Sequence, residues 1–170
     1  MADDLSEVYQ REFEHVWRTL RRFGVREAHL EDVAQEVFLV VHRRLPDFDK
    51  SRPIRPWLTG IAFKVAADHR GKASVRREHP SDHELEVADE RPPPDELMIR
   101  EEKRRLVHRA LAMLDDDKRA AFIMHDLDGH TVPEIARALE VPLNTVYSRL
   151  RLARERFVRA IAELRKGDAP

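Results

Sequence analysis

The sequence predicts an all-α protein of two small helical domains joined by an acidic, proline-containing linker. Three observations carry this. Apolar residues recur at helical spacing with almost no strand signal, the charge separates into blocks, and the last third has the form of a helix-turn-helix. The 170 residues are 37% charged and 42% hydrophobic, with no cysteine and a net charge of −1. That balance hides a sharp asymmetry. Basic residues outnumber acidic ones roughly three to one from Arg43 to Arg77, and acids dominate roughly five to one from Glu78 to Glu102. For a two-site DNA binder this division is sensible, because each basic block can neutralise phosphates while the acidic connector is repelled from the duplex.

The first domain is placed at residues 5–77. Val8, Phe13, Val16, Trp17 and Leu20 space as one helix, and a second begins near His29 to Glu31, carries Val33, Val37, Phe38, Val40, Val41 and Leu45, and ends before Pro46. After the loop PDFDKSRPIRP a third helix holds Trp57, Leu58, Ile61, Ala62, Val65 and Ala66 and trails into HRGKASVRR. These sets suffice for one small core of three or four helices. Residues 78–96 lose apolar periodicity and hold Pro80, Pro92, Pro93 and Pro94 among acids, which predicts an extended or disordered spacer keeping two modules apart.

The second domain, residues 97–166, is expected to hold four helices. Leu106, Val107, Ala110, Leu111 and Leu114 mark one, and Ala120, Ala121, Ile123 and Met124 the next. In the loop DLDGHT, Gly129 is a stop signal and Thr131 an N-cap. Then comes TVPEIARALEVPLNTVYSRLRLARERF. Ile135, Ala136 and Leu139 share one face of its first helix, while Val146, Leu150, Ala153 and Phe157 form a stripe on its second. Pro142 cannot continue the first helix but suits the first turn of the next, and Val141 can plug the gap between them. Opposite the stripe lie Asn144, Thr145, Tyr147, Ser148, Arg149 and Arg151, able to reach base edges and phosphates. Asn144 and Thr145 sit at the leading end, where a recognition helix meets bases.

An enzymatic reading finds little support. No P-loop, GxSxG or zinc-protease pattern occurs, and no cofactor is called for. Clusters such as His125, Asp126, Asp128 and His130 are expected by chance among nine histidines, and are better read as local capping than as a metal site. The group His79, Asp82 and His83 falls in the spacer, where no rigid shell would fix ligand geometry. Without cysteine, a disulfide or thiolate metal site is excluded and any redox response must come from another protein. No signal-peptide core or membrane-length apolar run is present, so membrane insertion is not expected and the chain reads as cytoplasmic.

With these residues in view, the chain resembles the extracytoplasmic-function (ECF) group of the bacterial sigma-seventy family, whose small members keep only domains two and four. FIMHDLDGHTVPEIARALEVPLNTVYSRLRLARERF is similar to the family's domain four, while EDVAQEVFLVVHRRLPDFD and RPWLTGIAFKVAADHRGKASVRR are similar to its domain two. The resemblance implies a sigma factor that binds RNA polymerase core, at the β′ coiled coil and the β flap, and directs it to a two-element promoter. Asp32, Gln35, Glu36 and Phe38 are then the polymerase-binding positions. Lys64, Asp68, Arg70, Arg76 and Arg77 would bind the −10 element, and residues 47–55 would line a pocket for a flipped base. Trp57 reads as core ahead of a base-stacking platform. Thr131, Asn144, Thr145, Tyr147, Ser148, Arg149, Arg151 and Arg154 would serve the −35 element, with Tyr147, Ser148 and Arg151 nearest the bases.

Three positions depart from the family pattern. Lys64 stands where Asn is usual, Glu140 where the turn often has Gly, and Leu152 where a basic residue is common. A left-handed Glu140 would carry a steric cost of roughly 1 kcal/mol. An anti-sigma factor is the expected regulator. A dimeric helix-turn-helix regulator with an N-terminal sensor domain is the alternative, and a module binding acidic partners a third possibility.

Overall fold

The computed structural model describes residues 5–76 and 95–167, with side chains from 5 to 74 and from 98 to 167. Residues 78–94 of the expected spacer at 78–96, with its HPSDH group, lie outside the described residues, as do Arg77 and the side chain of Arg76. The helix after it begins at Asp95, within the last two residues assigned to the spacer.

Helices α1 (Leu5–Arg22), α2 (Glu27–Arg44) and α3 (Ile54–Arg76) pack against one another in all three pairings. Val8, Val16 and Leu20 of α1, Leu30, Val33, Val37 and Val41 of α2, and Leu58, Ala62 and Ala66 of α3 are fully buried or nearly so. Gly24, at φ +83°, turns the chain from α1 toward α2, a conformation that favours glycine. A short 3-10 turn at Leu45–Asp47, opened by Pro46, closes α2.

The second block comprises α4 (Asp95–Ala112), α5 (Asp116–Phe122), α6 (Val132–Leu139) and α7 (Leu143–Gly167). Asp115 caps α5 by accepting from the Lys118 N–H at 3.0 Å. One π-helical turn, Ile123–Leu127, follows, and Gly129 at φ +75° redirects the chain to Thr131. Thr131 and Glu134 form a reciprocal capping box at the start of α6.

The expectation of two modules held apart is corrected here. Helix α6 packs on α3, and the buried apolar residues of both blocks form one continuous cluster. The helices were legible from local spacing, whereas this contact joins residues almost eighty positions apart and leaves little local trace.

Candidate nucleic-acid interface

Ile135, Ala136 and Leu139 of α6 and Val146, Leu150 and Ala153 of α7 are buried as their spacing predicts, and Phe157 stacks on Phe122 with ring centroids 4.6 Å apart. Glu140 ends α6 in the left-handed conformation, φ 56° and ψ 45°. The Val141 N–H then donates to Ala136 O at 3.0 Å, closing the helix end, and the Val141 side chain packs against the core. The anticipated strain at Glu140 is therefore present.

This packing leaves the opposite side of α7 open. Asn144, Tyr147, Ser148, Arg151 and Arg154 are exposed, and Thr145 and Arg149 are half-buried. Arg149 donates to Asp117 at 2.8 Å, and Arg154 grips Asp126 through two hydrogen bonds of 2.8 and 2.7 Å. That pairing raises the pKa of Arg154 and lowers that of Asp126. Asp126, read above as a local capping residue, thus instead orients a cation of α7. Arg151 reaches Glu155 one turn on, at 3.1 Å. Thr131 is exposed, with its hydroxyl engaged in the capping box.

In the first block Asp32, Gln35 and Glu36 share one exposed face of α2. Phe38 does not join them. It is only 5% exposed and packs against Tyr9 and Phe13, at centroid distances of 4.7 and 6.2 Å, so it supports this face from beneath. Leu39, 55% exposed, takes the outward place that Phe38 was expected to hold. It borders a groove between α2 and α3 with Glu36, Arg43, Val65, Asp68 and Lys72. Asp68, expected at the −10 element, therefore lies beside Glu36 in this groove. Trp57 is partly buried against Phe48, centroids 4.6 Å apart, at the start of α3.

Lys64 and Arg70, the two proposed −10 cations with described side chains, both face the second block. Lys64 Nζ lies 2.8 Å from Glu140 Oε1, and Arg70 Nη2 lies 2.9 Å from Asp116 Oδ2. Both carboxylates come from residues of the second block.

A helix-turn-helix with an exposed polar leading face, attached to a second helical unit bearing its own cations, defines a DNA-directed helical protein. Comparison with known proteins narrows this class. The Sigma-70 region 2 family matches residues 8–76, and Sigma-70, region 4 matches residues 104–157. The chain is 32% identical over 145 residues to the RNA polymerase sigma-H factor of Pseudomonas aeruginosa, covering 79% of this chain and 74% of the relative. It is also 32% identical over 152 residues to the ECF RNA polymerase sigma-E factor of Escherichia coli K12, covering 84% and 79%. The protein belongs to the extracytoplasmic-function group of sigma-70 factors.

Two solved structures share the fold. CnrH in complex with the cytosolic domain of CnrY superposes with a TM-score of 0.64 at 24% identity, covering 97% of this chain and 89% of that one. RpoE in complex with the anti-sigma factor NepR from Bartonella quintana gives 0.72 at 17% identity, covering 94% and 98%.

Proposed function

We propose that this sigma factor binds RNA polymerase core through the exposed α2 face and the adjoining α2–α3 groove, with the second domain meeting the β flap. It directs the enzyme to a two-element promoter, setting the leading end of α7 in the −35 major groove and the cations Lys64, Arg70, Arg76 and Arg77 at the −10 element. It assists melting there without hydrolysing anything. The domain boundaries at 5–77 and 97–166 belong to the same reading. The observation that carries it is the exposed row of Asn144, Tyr147, Ser148 and Arg151 on a helix whose other side is buried.

Asp32, Gln35, Glu36 and Leu39 offer polymerase an acidic face with an apolar edge. Phosphate contacts by Arg149 and Arg154 would position α7, while Tyr147, Ser148 and Arg151 read bases. Control by an anti-sigma factor is supported by the neighbouring structure of RpoE, which holds such a partner. Work in the cytoplasm fits a chain in which no described helix is long and apolar enough to cross a membrane. The comparisons favour this reading over a dimeric regulator.

The test is transcription from a promoter library with purified chain and core polymerase. Core-dependent, sequence-specific initiation is expected, with Arg151→Ala changing −35 preference. If initiation never exceeds that of core alone, the proposal fails.

A further inference from the structure

Helices α2 and α3 bring two histidines from distant parts of the chain into contact. His29 lies in the first turn of α2 and His69 in the second half of α3, both half-buried, with ring centroids 5.1 Å apart and planes inclined at 54°. Neither ring forms a hydrogen bond with another described residue, whereas His15 is bonded to Thr59 and His125 to Asp126. Packing alone gives such a pair little advantage. Imidazoles titrate near neutrality, and protonating both would put two like charges in one spot.

A shared metal ion turns the same spacing to use, since neutral imidazole is the commonest metal ligand in proteins. Zinc binds an imidazole nitrogen at about 2.0–2.1 Å, and with each ring centre roughly 1.1 Å behind its nitrogen, two rings at a tetrahedral angle have centroids about 5 Å apart. His29 and His69 meet that condition. Among the described residues no group of three or more histidines and carboxylates is arranged to hold a metal, so the chain supplies two ligands and water completes the shell. Of the charged groups about His69, Glu36 favours a cation, while Lys72 and Arg70 oppose it and Arg70 is itself paired with Asp116. Four protein ligands make a permanent structural zinc site, so a site with two responds instead to the free metal concentration.

We propose that His29 and His69 form a two-histidine site for a divalent transition metal, zinc first, that clamps the start of α2 to α3. Imidazole suits zinc and copper, whereas magnesium and calcium take oxygen ligands, so the site discriminates by ligand chemistry. The inference stands independently of the sigma-factor reading. A ligand that binds only the folded chain raises its apparent stability, so zinc tightens the first domain. The clamp joins the two helices that carry Glu36 and Asp68 and braces the groove between them.

The test is zinc titration of the untagged full chain by calorimetry, with the histidine ring resonances followed by NMR. Because the chain has no cysteine, thiolate binding cannot confuse the result. The resonances of His29 and His69 are expected to respond together, and zinc should raise the melting temperature where magnesium does not. His29→Gln and His69→Gln should each weaken zinc binding by about tenfold or more, a loss that even outer-shell changes can produce, and should abolish the thermal shift. The resonances of the unmutated chain decide the matter should either variant fail to fold. His79 and His83, four residues apart in the spacer, are a rival pair. A His79→Gln/His83→Gln chain should therefore keep its thermal response to zinc. Loss of that response in the spacer variant, zinc affinity unchanged in the two α2 and α3 variants, or ring resonances of His29 and His69 indifferent to zinc would each overturn the site.

Discussion

Lys64 Nζ and Glu140 Oε1 stand 2.8 Å apart across the two domains, and these are two of the three positions that depart from the family pattern. The hydrogen bond to Lys64, with the charge itself, holds the Glu140 carboxyl below its ordinary pKa. Both side chains keep roughly half their exposure, so the pair contributes at most about 1 kcal/mol. What the pair does is place the carboxylate of the α6–α7 turn over a cation of α3.

Backbone strain at Glu140 can be separated from that ion pair. Glu140→Ala and Glu140→Gly both remove the carboxylate, but only glycine is at ease at φ 56°. Urea unfolding of the full chain should find Glu140→Gly more stable than Glu140→Ala by about 1 kcal/mol. Equal stabilities would mean that this turn is not held left-handed in solution.

Phe38 and Leu39 should behave oppositely although they are adjacent. Phe38→Ala removes a buried ring and is expected to cost about 3 to 5 kcal/mol in unfolding experiments. Leu39→Ala should change stability by no more than about 0.5 kcal/mol, yet weaken capture of core polymerase in a pull-down. A Leu39→Ala protein with native polymerase affinity would remove this residue from the proposed docking face.

The run Val37 to Val41 shows where sequence reading reached its limit. Five consecutive apolar residues, each rotated about 100° from the last, cover every direction around a helix, so periodicity could not say that Phe38 turns inward and Leu39 outward. The helix-turn-helix was clearer because its apolar stripe alternates with polar residues. Glu140 was legible too, since a known turn geometry met an ill-suited residue. Gly60 carried a signal as a lone glycine within a helical pattern, but Ala138, whose backbone it packs against, is an unremarkable alanine. The π-helical turn at Ile123–Leu127, which sets Asp126 against Arg154, has no comparable local pattern.

Arg119 ties the second domain together and touches the first. Its guanidinium donates to the carbonyls of Leu111, Ala112, Leu114 and Phe23, and burial lowers its pKa. Arg119→Met should destabilise the chain by about 3 kcal/mol, because it empties the buried guanidinium site and removes the side-chain donor to the Leu114 carbonyl, while Leu111 O keeps the Leu114 N–H and Phe23 O keeps Arg70. Arg119→Lys should recover little of this, since an ammonium cannot reproduce the planar fork. Chemical denaturation of both variants checks the order; full rescue by lysine would show that charge alone suffices.

On α7, Arg151 and Arg154 should fail in different ways. Arg151→Ala is expected to relax base preference at one −35 position by about 1 to 3 kcal/mol. Arg154→Ala should weaken binding evenly across sequences and shallow its salt dependence by about one phosphate contact. Promoter competition assays at two salt concentrations distinguish the two; identical profiles would contradict the division between base reading and phosphate positioning.

Acidification should destabilise the packing around His15 and His130. His15 donates to or accepts from Thr59 at 3.0 Å, and the Nε2 of His130 and the Oδ2 of Asp128 are buried with no hydrogen-bond partner among the described residues. Burial is the main cause lowering both imidazole pKa values below 6.5, opposed by the Asp128 carboxylate. Arg55 also lowers both, Glu12 raises and His130 lowers that of His15, and Glu134 raises that of His130. A base whose pKa is depressed by folding contributes its stability in full above 6.5, and that stability falls as pH drops through the depressed value. Unfolding free energy should therefore decline from pH 7.5 to 5.5, before most carboxylates titrate. Replacing His15 and His130 together with glutamine should flatten this decline, and an equally steep decline in that variant would assign the acid response to other groups.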